Sequence, residues 1–111
     1  MLPEREYDAL VAASFKRFLR AFDALDPDAL EADGTADMVT VTAPRTGEKV
    51  IINTQRAVHQ IWVAGRGSGI HFSWDTSTSR WLDDKHKGLE LFAFVADCVE
   101  AAAGVRPTFQ D

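Results

Sequence analysis

The sequence predicts an α+β fold, a two-layer sandwich with two helices on one face of an antiparallel sheet of about five to six strands. Three observations carry this. Apolar residues recur every three or four positions over residues 4–25 and again over 89–103, and between them, over 37–84, the period changes to two. The connections inside the middle region are too short for the helical crossover that parallel strands need. Helices that flank such a meander bury their stripes by sharing one sheet face.

Taken in order, the first helix rests on Tyr7, Leu10, Val11, Phe15, Phe18, Leu19, Phe22 and Leu25. Pro3 suits its first turn, and Asp26-Pro27 stops it because the residue before proline is pushed out of helical geometry. The strands are read from MVTVTA, EKVIIN, HQIWVA, GIHFSWD and RWLD, short runs rich in β-branched and aromatic residues and bounded by turn residues. In GIHFSWD the shared register of Ile70, Phe72 and Trp74 points toward the helices, so Trp74 reads as core. The second helix is LELFAFVADCVEAAA, with Leu89, Phe92, Ala96, Val99 and Ala103 as its stripe and Gly104 as its stop.

One residue resists this pattern. In HQIWVA, Ile61 and Val63 share the core-facing register, which leaves Trp62 with Gln60 on the other face. An outward indole among Asn53, Gln55 and Gln60 is the composition of a protein-binding patch, since Trp joins a large contact area to a polar handle. The alternative is an indole covered by neighbouring long side chains.

The chain of 111 residues, 46% hydrophobic and 26% charged, suits one domain spanning 1–111. Seventeen acids against twelve bases leave a net charge of −5, which argues against a nucleic-acid partner and favours cations or basic protein surfaces. No apolar run reaches membrane-spanning length and no leader pattern is present, so a cytoplasmic, membrane-free protein is expected. Cys98 is the only cysteine, and it reads as an inert buried thiol of the second helix. His59 and His71 fall on different sheet faces, and neither they nor His86 suggest a metal pair. No nucleophile elbow, phosphate loop or zinc-protease motif is present, so no catalytic residues are assigned.

The acids are unevenly distributed. Asp23, Asp26, Asp28, Glu31, Asp33 and Asp37 occur within fifteen positions without a lysine or arginine among them. Such a cluster is either a solvated helix end and loop or a place where a hard cation relieves repulsion between carboxylates. No calcium-loop pattern accompanies it.

With Asn53-x-Gln55, Gln60-x-Trp62, Gly69, Trp74 and Trp81 at these spacings, within an acidic helix–strands–helix order, the chain resembles the frataxin family, in particular its bacterial form. The resemblance covers about residues 6–105. It implies a protein that binds iron (Fe²⁺ or Fe³⁺) weakly through surface carboxylates and modulates iron–sulfur cluster assembly without being an enzyme. The metal-binding residues it implies are Asp23, Asp26, Asp28, Glu31 and Asp33. The partners it implies are a cysteine desulfurase and an iron–sulfur scaffold protein, met by Asn53, Gln55, Gln60 and Trp62 on the sheet and by the same carboxylates, which face a basic patch of the assembly. A monomer is expected, with iron-dependent oligomers as a further expectation. The other readings are a ferroxidase or iron store, and an acidic protein-binding module for which iron is incidental.

Two departures from the family pattern stand out. Lys16, Arg17, Phe18, Leu19 and Arg20 occupy the middle of the first helix where bacterial relatives often carry further carboxylates, so a shortened acidic ridge is expected. Thr54, Arg56 and Ala57 stand where the family tends to have a basic residue and then a proline, which alters the expected turn and its charge.

Overall fold

A computed structural model describes residues 2–85 and 87–110. The first apolar stripe forms α1, Glu4–Asp23, whose buried residues include Tyr7, Val11, Phe15, Phe18 and Phe22. Its start lacks a side-chain cap, and its first intrahelical bond runs from the Tyr7 amide to the Pro3 carbonyl at 3.0 Å. After the Asp26-Pro27 turn, the buried Leu30 anchors the chain before it enters the sheet.

Six strands follow in chain order: β1 Glu31–Gly34, β2 Met38–Thr42, β3 Lys49–Gln55, β4 Gln60–Gly65, β5 Ser68–Asp75 and β6 Arg80–Asp83. Each pairs antiparallel with the next, so the spatial order equals the sequence order. A 3₁₀ turn, Arg56–Val58, joins β3 to β4. The second helix, α2, is Leu91–Ala103; the Glu90 carboxylate accepts from the amides of Phe92 and Ala93 at its start, and Gly104 in the left-handed conformation ends it. Helix α1 lies over β1 and β2, and α2 lies over β3, β4 and β6. The α+β sandwich with both helices on one face is therefore the observed fold.

The core forms between the layers. Val39, Val41, Val50, Ile52, Ile61, Val63, Phe72 and Trp81 rise from the sheet to meet the two helices. Where the helices touch, Phe18 stacks on Phe92 with centroids 4.6 Å apart. Trp74 is half-buried and meets Trp81 edge to face at 5.4 Å.

Two local differences from the sequence reading have clear causes. Strand β1 falls in the acidic segment read as helix end and loop; EADG carries no β-branched or aromatic residue, and tertiary pairing with β2 overrides its weak propensity. The buried residues of α2 are Leu91, Val95, Ala96, Cys98 and Val99; Ala96 and Val99 belong to the predicted stripe, whose other members, Leu89, Phe92 and Ala103, are half-buried against the core. This helix is apolar on its α1-facing side as well as its sheet-facing side, so periodicity alone does not single out its most buried side.

Candidate functional site

The acidic residues occupy one edge of the molecule. Asp23 is the last residue of α1, while Asp26 and Asp28 stand on the turn that follows, all three exposed. That turn holds itself together: the Asp26 side chain accepts from the Asp28 amide at 2.9 Å, and the Asp26 carbonyl accepts from the amides of Ala29 and Leu30. On β1, Ala32 packs on the core, so Glu31 and Asp33 point to the opposite sheet face, across from Thr42 and Thr40. The five carboxylates thus lie along a helix end, a turn and an edge strand. Among the described residues, no three His, Cys, Asp or Glu side chains converge as a metal cage would require. The donor chemistry is all oxygen and suits a hard cation held loosely, with water completing its shell.

Asp37 departs from the sequence reading, which counted it among carboxylates without a counter-charge. The Arg56 guanidinium donates to Asp37 at 2.7 Å and to Asp8 of α1 at 2.6 Å, and the Thr54 hydroxyl donates to the same Asp37 oxygen at 3.0 Å. These bonds, Arg56 first, hold the Asp37 carboxyl below the usual carboxylate range. Arg56 lies 19 residues downstream and reaches Asp37 only through the sheet. It ties the helix to the β1–β2 turn.

The outer sheet face presents Trp62 as alternation predicts. Strand register places Met38, Asn53, Trp62 and His71 in one row across β2 to β5, with Gln55, Gln60 and Ser73 in the next. The indole is half-buried because it lies across Gly69, the diagonal neighbour two residues before His71. A Cβ at Gly69 would come within 2.9 Å of the indole Nε1 and Cζ2, so only glycine leaves room for this pose. To either side, Asn53 Oδ1 and His71 Nδ1 are buried without a hydrogen-bond partner. Leaving such atoms unpaired is costly, and polar groups arriving beside the indole would relieve that cost. Gln60, by contrast, is engaged: its side-chain amide donates to Ser73 at 2.8 Å and its carbonyl accepts from the Tyr7 hydroxyl at 2.7 Å. Met38, at 40% exposure, extends the apolar surface toward β1.

The fold brings Asn53, Gln55, Gln60 and Trp62 together on one face, and gathers Asp23, Asp26, Asp28, Glu31 and Asp33 along the neighbouring edge. His71, Gly69 and Met38 were not singled out as site members from sequence. The signal for them was strand register: counting outward from Trp62 across β2 to β5 reaches all three. His59 stands apart, in the left-handed conformation after the 3₁₀ turn, where its ring stacks on Tyr7 and its Nδ1 donates to the Leu2 carbonyl at 2.6 Å. His86 lies outside the described residues. Burial pushes the Cys98 thiol up to about 11, which keeps it protonated and unreactive at neutral pH. Among the described residues, no helix is long and apolar enough to cross a membrane.

Comparisons with known proteins agree with this architecture. The chain is 34% identical over 107 residues to an iron-sulfur cluster assembly protein CyaY of Tolumonas auensis, covering 96% of this chain and 98% of that one. It is likewise 34% identical to the iron-sulfur cluster assembly protein CyaY of Cupriavidus taiwanensis, covering 97% of this chain and 96% of that one. Its fold matches a solved frataxin from Psychromonas ingrahamii with a TM-score of 0.84 at 20% identity, covering 99% of this chain and all of that one. The frataxin-like domain family matches residues 1–105, and the chain belongs to that family.

Proposed function

We propose that this protein serves iron–sulfur cluster assembly as an accessory protein rather than an enzyme. It binds iron weakly along the acidic edge as cargo, and it docks on a cysteine desulfurase–scaffold assembly through the Trp62 face, with the acidic edge turned to a basic surface of that assembly. The observation that carries the reading is the outward indole seated on Gly69 between two buried, unpaired polar atoms. A monomeric protein with no partner would gain by burying that indole or by replacing it with a polar residue. The names of the relatives support the process, and the oxygen-only carboxylates of the adjoining edge suit iron as a hard cation.

The division of labour is testable residue by residue. Trp62→Ala is expected to weaken binding to the desulfurase–scaffold complex by about tenfold or more, as loss of a central aromatic anchor does, with the melting temperature nearly unchanged. Isothermal titration measures the former and thermal unfolding the latter; unaltered affinity would remove Trp62 from the interface. For the metal, anaerobic Fe²⁺ titration followed by amide NMR is expected to broaden signals across Asp23, Asp26, Asp28, Glu31 and Asp33, with Mg²⁺ at matched ionic strength as the diamagnetic control. Broadening elsewhere would contradict the acidic edge as the iron site.

A further inference from the structure

Beside the acidic edge runs a groove that carries two cations, Lys16 and Arg20, between Asp8 and Asp23. It has a volume of about 640 Å³ and separates α1 from the β1–β2 turn at Thr35 and Ala36. Its accessible apolar lining is the half-buried Leu19 with the exposed Ala12 and Ala36, while Val11 and Phe15 are buried in the core. Lys16 and Arg20, one helical turn apart and both exposed, join that lining. Among the described residues neither is ion-paired, whereas Arg56 at one end of the groove is neutralised by Asp8 and Asp37. The helix face from Asp8 to Asp23 is roughly 22 Å long at 1.5 Å per residue, the span of a peptide segment rather than of a small metabolite.

The charge order along this edge constrains a partner. A basic surface that meets Asp23, Asp26 and Asp28 brings like charge against Lys16 and Arg20, and covering two unpaired cations costs free energy unless a carboxylate meets them. We propose that the groove takes an acidic amphipathic segment of the partner protein, its apolar side chains on Leu19, Ala12 and Ala36 and a carboxylate between Lys16 and Arg20. This is helix-or-strand-in-groove recognition, with the cations fixing its direction. The inference rests on the proposed function for the identity of the partner and adds a second docking surface with its own chemistry.

Charge reversal separates this from simple steering. Lys16→Glu with Arg20→Glu makes a protein of net charge −5 still more acidic. Steering toward a basic partner therefore predicts tighter binding; the groove predicts binding to the purified desulfurase–scaffold complex about tenfold weaker than wild type. Arg5→Glu with Arg45→Glu adds the same charge at exposed sites away from the groove, and is expected to leave affinity unchanged or higher. Ala12→Asp, at an exposed position lining the groove, is expected to weaken binding without touching either cation. Thermal unfolding verifies that each variant is folded. Wild-type affinity or better in the Lys16/Arg20 variant, or an equal loss in the Arg5/Arg45 control, overturns the groove and leaves the Trp62 face standing. A complex that does not bind the wild-type protein overturns the proposed function, and the groove's partner with it.

Discussion

Trp62 and Gly69 form a diagonal cross-strand pair in which the absence of a side chain on one residue sets the pose of the other. Gly69→Ala puts a methyl within 2.9 Å of the indole, and the indole tip must lift away from the sheet. A shift of the Trp62 Nε1–H resonance by NMR is expected, with a stability loss of about 1 kcal/mol from local overpacking. An unmoved resonance would mean that the ring does not rest there. Asp83 shows a different dependence on its surroundings. It is 5% exposed in the core-facing register of β6, and its carboxylate accepts from the Lys87 amide at 2.9 Å and the Leu89 amide at 2.8 Å. Burial alone would raise its carboxyl, but the backbone donors outweigh burial and hold it below the ordinary value. A lowered folded-state pKa contributes stability above the unfolded value of about 4, and that stability is lost as pH falls through the folded value. Asp83→Asn is therefore expected to cost about 1.5–3 kcal/mol at neutral pH and to flatten the acid limb of the stability curve, measured by urea unfolding from pH 3 to 7. An unchanged acid limb would assign that limb to other carboxylates. At this scale the sequence was informative where side-chain chemistry met alternation, as at Trp62, and silent where a contact spans the sheet, as in the Arg56 link between Asp8 and Asp37.

Among the elements, the C-terminal segment after α2 closes the groove between the helices. The Phe109 ring sits edge to face with Phe18 and Phe92 at 5.3 Å each and with Phe22 at 5.9 Å, Pro107 is buried, and the Gln110 carbonyl accepts from Arg17 at 3.0 Å. Phe109→Ala is expected to destabilise by about 1–3 kcal/mol, less than a fully buried phenylalanine because the ring is half-exposed. A lower urea midpoint at unchanged slope is the signature, and an unmoved midpoint would mean the tail contributes no packing. Neither this docking nor β1 could be read from the chain. RPTFQD is too short to carry a period, and EADG is a strand only because β2 offers a partner. The long periodic elements were legible: α1, the alternating strands and the existence of α2 all follow from the spacing of apolar residues, although the most buried side of α2 does not.

For the whole molecule, the arrangement of charge matters more than its sum. Five carboxylates share an edge that has no lysine or arginine within its own stretch of chain, while Lys16 and Arg20 line the α1 groove beside Asp23. Asp26→Asn with Asp28→Asn is expected to raise thermal stability at low salt by a few tenths to about 1 kcal/mol, the benefit fading as salt screens the repulsion. A lower melting temperature would show instead that these carboxylates stabilise the turn they occupy. The residues of the candidate surface were legible because their types are unusual for their register. Their grouping was legible only in part, because register and the path of β1 decide which of them meet.

One protein partner is expected to cover the Trp62 face and the acidic edge together. The most direct test is an amide NMR footprint of the isotopically labelled protein with the unlabelled desulfurase–scaffold complex. Signal loss is expected at Asn53, Gln55, Gln60 and Trp62 and along residues 23–33, with Lys16 and Arg20 included. Signal loss confined to the exposed side of α2 and the β5–β6 turn, or none at saturating complex, would contradict it.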